Sequence, residues 1–416
     1  MLTKAMNQLL TRVEGDASMG KMLRENYWIP ALPSSELVAD GDPVRVRLMG
    51  EDFVAFRDSS GRVGILAENC PHRRVSLALG RNEENGLRCI FHGWKFDFSG
   101  KCVEAPTQIH DPERFCSRVP VRKALAEEGG GLVWAWLGNP DTAKPLPNLE
   151  FMGVPEANRK ISYQDVPCNW VQGVESNMDS AHVGILHRSA NQNIPGSGQH
   201  LRQTSEALAP RYEIEDQPFG FRYAALRDLG DGTCYARINT YVAPWYSIIC
   251  ANRPDLPSLM IITTPIDDEN MRFWLIPYNP DHAIVEGEGF YFDSSASRFP
   301  PLTPSTGLSD RYGQDRALMK EGHWTGFPQH AFTEDFAIML SQGRIADRSD
   351  EFLNNGDKAV TRVRSILLDA ERAHREGHAP QGVASDLSQV RSIGVIYDRS
   401  EDWRTVAERE LCAAAE

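Results

Sequence analysis

Four side chains in the first quarter of the sequence have the types and the spacing of metal ligands. A Cys-x-His motif at Cys70 and His72 is followed, after 16 residues, by a Cys-x-x-His motif at Cys89 and His92. Thiolate sulfur and imidazole nitrogen both bind transition metals well. A proline stands inside the first motif and a glycine directly follows the second, and both residue types favour turns. The sequence therefore predicts two loops that present these side chains to one metal centre.

The order of the cysteines and histidines along the sequence distinguishes two kinds of metal centre. A structural zinc site also takes two cysteines and two histidines, but it usually keeps the cysteines together and the histidines together in the sequence. One cysteine and one histidine in each motif suit a Rieske 2Fe–2S cluster, in which thiolates hold one iron and imidazoles hold the other. We expect this cluster on Cys70, His72, Cys89 and His92, with zinc as the alternative. Trp94 is expected to cover it from water.

A second group of potential ligands follows the cluster motifs and comprises Asp179, His182 and His187. Two histidines and one carboxylate form the facial triad of non-haem Fe(II) oxygenases, which leaves coordination positions open for O₂. The carboxylate of such a triad must come from elsewhere in the chain. Asp335 is the favoured candidate and Glu334 the alternative. Two histidines that are merely packed in a helix are the competing interpretation.

The segment 170–188 is expected to be helical, and helix geometry constrains this second site. Glu175 and Asp179 share one helix face with the first histidine, because neighbours on a face are three or four residues apart. The second histidine stands five residues after the first, about 140° away around the axis. Both rings can meet one metal only if the helix bulges or breaks between them, and Gly184 is the expected position.

Composition narrows the class of protein. The 416 residues carry a net charge of −13 without a run of Lys and Arg, so neither nucleic acid nor a membrane surface is an expected partner. No apolar stretch reaches the roughly 18 residues of a membrane span, and the N-terminus lacks a signal-peptide pattern. We expect a cytoplasmic protein whose eight cysteines are metal ligands or free thiols. Cys102 and Cys116, near the first motifs, are expected to be free.

The order of strand and helix patterns predicts an α+β protein with two domains. Residues 1–27 are expected to form an N-terminal helical arm. Residues 28–145 combine short apolar runs with frequent turns, which is typical of a small antiparallel β domain. Residues 146–416 contain a helix, longer strands and C-terminal helices, an order that differs from the alternation of a parallel α/β fold. The Pro- and Ser-rich segment 290–315 is long enough to be a lid.

Together the motifs resemble the oxygenase (α) component of Rieske non-haem iron aromatic-ring-hydroxylating oxygenases, and within them the phthalate 4,5-dioxygenase-like branch. The resemblance covers nearly the whole chain. It is carried by the blocks YWIPALPSSEL, CPHR, CxxHGWKFDxxGKC, ExxxDxxHxxxxH and EDFAxxxSQGxIxDRSxE, which follow one another in the family's order. Phe91, where many members have Tyr, and Leu340, where relatives often have Glu, depart from the pattern.

This resemblance implies a Rieske domain over residues 28–145 and a catalytic domain over residues 146–416. The catalytic domain would be a helix-grip, in which a curled antiparallel sheet surrounds a long helix. His182, His187 and Asp335 would bind a mononuclear Fe(II). Because the two metal centres of one chain lie too far apart in this family, the resemblance implies a head-to-tail homotrimer, or two stacked trimers that form a homohexamer.

The resemblance also implies roles outside the metal ligands. Asp179 is similar to the family's bridging aspartate, which hydrogen-bonds an iron-bound histidine and a cluster histidine of the neighbouring subunit, here His182 and His92. A separate NADH-dependent flavin/iron–sulfur reductase would supply electrons, and O₂ would cis-dihydroxylate, monooxygenate or O-demethylate an aromatic small molecule. The alternative is a Rieske electron-transfer protein without oxygenase activity, against which stand the second iron motif and about 270 residues after the cluster domain.

An aromatic carboxylate is the expected class of substrate. The strand 233–242 places Arg237 on one face, and a guanidinium that faces the cavity can pair with a carboxylate. A solvated or structural arginine is the alternative. Ser180 and Trp245 are further candidates for the pocket.

Overall fold

The computed structural model describes residues 2–191, 204, 206–251, 256–285, 307–328, 330–383 and 386–413. The chain divides into two compact units, residues 13–147 and residues 148–416 together with residues 1–12. The predicted arm, residues 1–27, is therefore shared between the two units. Residues 1–12 of the arm belong to the larger unit. There the Asn7 side-chain amide donates a hydrogen bond to the carbonyl oxygen of Ala346 (2.9 Å). Of the predicted lid, residues 290–306 lie outside the described residues.

The helices are α1 (Lys4–Thr11), α2 (Ser18–Asn26), α3 (Pro112–Cys116), α4 (Glu150–Gly153), α5 (Trp170–Met178), α6 (Arg188–Asn191), α7 (Arg316–Lys320), α8 (Ala331–Ser341), α9 (Lys358–Arg375) and α10 (Trp403–Ala413). The strands are β1 (Ile29–Pro33), β2 (Val44–Leu48), β3 (Glu51–Arg57), β4 (Val63–Ala67), β5 (Arg81–Glu83), β6 (Gly86–Arg88), β7 (Lys95–Phe96), β8 (Cys102–Glu104), β9 (Lys123–Gly129), β10 (Leu132–Trp136), β11 (Asn148–Leu149), β12 (Ser162–Val166), β13 (Arg211–Gln217), β14 (Gly220–Asp228), β15 (Thr233–Val242), β16 (Tyr246–Ile249), β17 (Ser258–Pro265), β18 (Met271–Tyr278), β19 (Asp386–Leu387) and β20 (Ile393–Asp398). Within the described part of the chain, no helix combines the length and the apolar character that crossing a bilayer requires.

The smaller unit is the predicted antiparallel β domain. Its strands form a sheet in the order β1-β10-β9-β4-β3-β2 and a second, shorter sheet in the order β5-β6-β7-β8. Val54, Leu66, Leu87 and Phe96 meet in its core and are inaccessible to solvent. The first Cys/His motif lies between β4 and β5, and the second between β6 and β7. Both motifs are thus on loops that the sheets hold in place.

The larger unit is built on an antiparallel sheet with helices packed against it. Among the described residues eight strands join it, in the order β12-β18-β17-β16-β15-β14-β13, with β20 paired to β15. Helix α5 packs on β16, β17 and β18, and the long helix α9 packs on α5 and α1. The α5 surface suits this position, since Trp170, Val171, Val174 and Met178 are all buried. This architecture confirms the predicted α+β class and the helix-grip arrangement.

The predicted helix over 170–188 is wrong in its second half. Asn169 caps the start of α5 by accepting from the N–H of Val171 (3.1 Å), but the helix ends at Met178. The carboxylate of Asp179 accepts from the N–H of Ala181 (2.8 Å). This local bond gives the backbone an alternative to helical bonding. The break therefore precedes His182 instead of falling at Gly184.

Candidate metal centres and substrate pocket

The two Cys/His loops share one backbone plan. In each, the cysteine N–H donates to the carbonyl oxygen five residues on (2.8 Å), and the cysteine carbonyl oxygen accepts from the N–H four residues on (2.9 Å). The residues four positions on, Arg74 and Gly93, both have a positive φ, of 63° and 75°. Cys70 and Cys89 therefore occupy equivalent positions in two tight turns, as the motif spacing predicted.

The four predicted cluster ligands lie together at these turns. Cys70 and Cys89 are buried in one hydrophobic cluster, and their thiols interact with each other. The rings of His72 and His92 are in edge contact, with centroids 4.4 Å apart. Trp94 stacks on His72, with centroids 4.5 Å apart and the planes within 2° of parallel. Two buried thiols beside two imidazoles are the donor set that a Rieske cluster requires.

His182, His187 and Asp335 form a second group of potential metal ligands, whose donor atoms all lie within 4.8 Å of one another. Oδ1 of Asp335 is 3.2 Å from Nε2 of His187 and 3.6 Å from Nε2 of His182. Ligand atoms held at about 2 Å from one ion lie roughly 3 Å apart, so the spacing suits a metal. Among the described residues this buried oxygen has no hydrogen-bond partner. A bound cation would compensate for the missing hydrogen bond.

Three separate elements bring this triad together. His182 begins a single 3₁₀ turn that ends at Gly184, His187 immediately precedes α6, and Asp335 lies on α8. Burial by itself would lower the pKa of His187, but the negative charges of Asp335 and Glu334 outweigh it and raise that pKa to about 10. A site that favours a proton on this ring also favours a metal cation. The triad is thus electrostatically suited to Fe(II).

Glu334, the alternative ligand in the sequence, has a different place. Its Oε2 accepts a hydrogen bond from Nδ1 of His187 (2.7 Å), and its other oxygen accepts from the hydroxyl of Thr325. Glu334 is completely buried. Because Nδ1 is bound to Glu334, Nε2 on the opposite side of the ring is the nitrogen that faces Asp335 and could bind a metal. The hydrogen bond from Thr325 to Glu334 could not be predicted from the sequence, because no motif there includes Thr325.

Asp179 lies beside the triad at the end of α5. Its Oδ2 is 3.5 Å from Nδ1 of His182, and its side chain keeps 31% of its exposure. Burial would raise the pKa of Asp179, but the hydrogen bond and charge of His182 outweigh it, and the pKa lies below its ordinary value. Asp179 is therefore a charged group that contacts a triad histidine and still reaches solvent.

A pocket of about 590 Å³, part of it open to solvent, has the triad on its wall. Its apolar lining comes from the helix break, from β16 and β17 and from α8, through Val183, Ile249, Leu259, Ile261 and Phe332. Arg237 also lines this pocket. An apolar cavity with one cation and a metal triad fits a flat ring that carries a negative group.

The three candidate pocket residues differ in their placement. Arg237 is buried, and its Nη1 donates to Oγ of Ser180 (3.0 Å). Its Nε has no hydrogen-bond partner, and no acidic side chain in the described part of the chain forms an ion pair with it. Ser180 is fully buried and contacts Arg237 without being part of the pocket lining itself. Trp245 packs edge-on against Trp170, with centroids 6.5 Å apart, and is not part of the pocket lining.

Glu175 does not join the triad, although a continuous helix would have placed it on the same face. Its carboxylate binds Arg348 with two hydrogen bonds (2.7 and 2.9 Å) and Arg364 with a third (2.6 Å). Arg364 also binds Glu351, and Arg348 binds the side chain of Asn7 (3.2 Å). This buried network ties α5 to α9 and α1. Glu175 thus supports the helix from which the site extends.

Two family models match the chain. Residues 27–117 match the Rieske [2Fe-2S] domain, and residues 135–415 match the domain described as LigXa C-terminal domain like. The phthalate 4,5-dioxygenase oxygenase subunit of Pseudomonas putida is 38% identical over 99% of this chain and 96% of its own length. The chain belongs to the Rieske non-haem iron oxygenases. The predicted oxygenase class, the 2Fe–2S cluster, the mononuclear iron and the use of O₂ are thereby confirmed, and the electron-carrier and zinc alternatives are not supported.

Other members of the Rieske oxygenase family are similar along most of their length. The 3-chlorobenzoate-3,4-dioxygenase oxygenase subunit of Comamonas testosteroni is 32% identical over 97% of this chain and 98% of its own. The 5,5'-dehydrodivanillate O-demethylase oxygenase subunit of a Sphingobium species is 30% identical over 94% of this chain and 86% of its own length. Dicamba monooxygenase bound to dicamba shares the fold, with a TM-score of 0.56 at 17% identity, over 85% of this chain and 99% of that one.

Proposed function

We propose that this Rieske oxygenase hydroxylates an aromatic carboxylate and receives its electrons from a separate NADH-dependent flavin/iron–sulfur reductase. The observation that carries the substrate class is Arg237, a buried cation in the same pocket as the triad. Relatives named for phthalate and chlorobenzoate support the same class. The reaction at the ring is dihydroxylation, monooxygenation or O-demethylation. Incorporation of labelled O₂ into the product distinguishes these reactions.

The environment of Arg237 supports an anionic ligand. A charge buried without a counter-ion is unfavourable by several kcal/mol. Ser180 satisfies one N–H of the guanidinium with a neutral hydroxyl, and Nε remains unpaired among the described residues. A carboxylate accepts two parallel hydrogen bonds from a guanidinium. We therefore assign Arg237 to the substrate carboxylate, while the apolar lining holds the ring and excludes water.

Two metal centres would be held by residues already predicted from the sequence. Cys70, His72, Cys89 and His92 would bind the 2Fe–2S cluster. His182, His187 and Asp335 would bind the mononuclear iron. When bound, the cluster stores one electron at a time and the iron activates O₂.

Two further carboxylates would serve the iron site without binding the metal. Glu334 would hold His187 in the tautomer whose Nε2 faces the metal. Asp179 would orient His182 and connect it to His92 of the partner subunit. The remaining exposure of the Asp179 side chain leaves room for that second contact.

We infer a head-to-tail homotrimer, or two such trimers stacked, as the working assembly. Ile90 and Phe91, at the tip of the second cluster loop, are 57% and 49% exposed. On the larger unit, a second cavity lined by Asp179 and His182 has Ile338 on its wall, and Ile338 is 46% exposed. Phe352, which stands between the lining residues Glu351 and Leu353 of this second cavity, is fully exposed. Two different apolar surfaces suit a heterologous contact between copies, and such a contact forms a ring when its rotation closes.

The substrate assignment is tested with Arg237→Gln, which removes the charge and keeps a polar side chain. A charged hydrogen bond contributes about 1.5–3 kcal/mol, so KM for an aromatic acid should rise roughly 10- to 100-fold. The methyl ester of the same acid should be converted equally by both proteins. The matched control is Arg222→Gln on the neighbouring strand, where the partly buried arginine binds Glu215 outside the pocket lining. Equal losses with acid and ester, or no loss with either, would remove Arg237 from the substrate site.

A further inference from the structure

A second pair of cysteines lies in the core that contains the cluster ligands. Cys102 begins β8 and Cys116 ends α3, and their sulfur atoms are 3.4 Å apart. Both are buried in the same hydrophobic cluster as Cys70 and Cys89. The metal sites and the substrate pocket use neither Cys102 nor Cys116. The sequence indicated two free thiols here, and the fold brings them into contact.

The geometry of this pair is close to that of a disulfide. An S–S bond is about 2.05 Å long, so the sulfurs must approach by roughly 1.3 Å. Helix α3 can supply such a shift because it is short and its first residues, Pro112, Glu113 and Arg114, are exposed. Cys102, in contrast, is held in β8 and is 1% exposed. Closing the pair needs the movement of one surface turn and no rearrangement of the sheet.

The two sulfurs differ in their access to solvent. Cys116 is 7% exposed, against 1% for Cys102, and lies within a surface segment, residues 106–120, most of which is exposed. A small uncharged oxidant therefore reaches Cys116 before Cys102. Hydrogen peroxide is the oxidant that this enzyme class itself can supply. When O₂ takes two electrons and two protons without substrate oxidation, the product is H₂O₂, so this source rests on the oxygenase activity.

We infer that Cys102 and Cys116 form a peroxide-reactive dithiol that closes to a disulfide beside the cluster. The sulfur of Cys116 attacks one peroxide oxygen, so that an S–O bond forms, the O–O bond breaks and one water leaves. The sulfur of Cys102 then displaces the hydroxyl group from Cys116, which forms the S–S bond and releases a second water. Two thiols are oxidised by two electrons, and one H₂O₂ is reduced to two waters.

The pair is connected to the cluster by ring packing. Phe115, next to Cys116, packs edge-on against Trp94, with centroids 5.2 Å apart. Trp94 in turn stacks on His72. A disulfide would fix α3 to β8 and hold Phe115 against Trp94.

The test is a titration of the intact, metal-loaded enzyme with H₂O₂, followed by blocking of free thiols and non-reducing trypsin digestion. Cleavage after Lys101, Arg114 and Arg118 separates the two cysteines into the peptides 102–114 and 115–118. We expect these peptides to be linked at peroxide doses that leave the visible absorbance of the cluster unchanged. The number of thiols that can be blocked after unfolding should fall from eight to six per chain. A dithiol reductant should restore all eight.

The proposal is overturned if the linked peptide is absent, or if it appears only after the cluster absorbance has been lost. Cys102→Ser gives an independent check on the order of attack. In that variant Cys116 should accumulate as a sulfenic acid, which a dione reagent traps on the peptide 115–118. Cys168, which is buried in the larger unit, serves as the internal control and should remain a free thiol.

Discussion

The carboxylate of Glu334 lies 2.7 Å from Nδ1 of His187, on the side of the ring away from Asp335. Two consecutive acids of α8 thus act on opposite nitrogens of one imidazole. Glu334 holds the proton of Nδ1, and Asp335 lies 3.2 Å from Nε2. The two residues should therefore respond differently to substitution.

Removal of Asp335 should abolish the mononuclear site. We expect Asp335→Ala to lose its mononuclear iron while the two irons and the visible spectrum of the cluster remain. Glu334→Gln should keep the site but weaken it, because loss of a partner behind a ligand typically lowers metal affinity about 10- to 100-fold. Iron analysis and competition with a chelator measure both effects. Full iron retention in Asp335→Ala would transfer the ligand role to Glu334.

Asp179 should be needed for turnover and dispensable for metal binding. It contacts His182 at 3.5 Å but is not one of the three residues whose donor atoms converge. Asp179→Asn keeps the size of the side chain and removes its charge. We expect full iron content and an unchanged cluster spectrum, with nearly all reductase-driven oxygenation lost. Wild-type turnover in this variant would exclude the bridging role.

The head-to-tail assembly predicts complementation between two inactive variants. Cys89→Ser lacks the cluster and Asp335→Ala lacks the mononuclear iron, so neither should be active alone. When both chains are produced together in equal amounts, a site is productive if its iron is intact and the neighbouring chain carries a cluster. Random mixing in a heterologous ring then gives about one quarter of wild-type activity. Activity that stays at zero in verified mixed oligomers would contradict electron transfer between subunits.

The network around Glu175 should stabilise the larger unit. Removing one partner from a buried ion pair costs about 3–5 kcal/mol, and Glu175→Gln leaves two buried arginines without their shared carboxylate. The matched control is Glu351→Gln, since Glu351 has Arg364 as its one ion-pair partner in the described part of the chain and its side chain is 27% exposed. Its cost should be about 1 kcal/mol. Urea denaturation measures both, and equal midpoints for the two variants would contradict a buried network.

The same network has a defined pH dependence. Burial would raise the pKa of Glu175, but Arg348 and Arg364 outweigh this effect and hold it below its ordinary value. A carboxylate with a lowered pKa stabilises the fold above its unfolded-state pKa, and this contribution is lost as pH falls through the folded-state pKa. The difference in stability between wild type and Glu175→Gln should be constant above about pH 5 and shrink below about pH 4.

Local spacing determined the metal chemistry of this protein. Cys70 and His72 stand two residues apart and Cys89 and His92 three apart, so one tight turn suffices to present each pair. Such short-range geometry depends little on the rest of the fold. Short apolar runs separated by turns likewise predicted the antiparallel β structure of both domains, because strands and the turns between them are encoded locally.

Tertiary packing decided which side chains from distant parts of the sequence come into contact. Asp335 reaches His182 and His187 only because α8 packs beside the end of α5, and the spacing between these segments carries no trace of that contact. A regular helix was expected through His182, but the helix ends earlier, where the side chain of Asp179 accepts a hydrogen bond from the N–H of Ala181. Which side chains are buried together also decides that Glu175 has two arginine partners and that Arg237 has no acidic partner among the described residues. Burial is a property of the whole fold, and it distinguishes Glu175, which is paired inside a buried network, from Arg237, which lines the pocket.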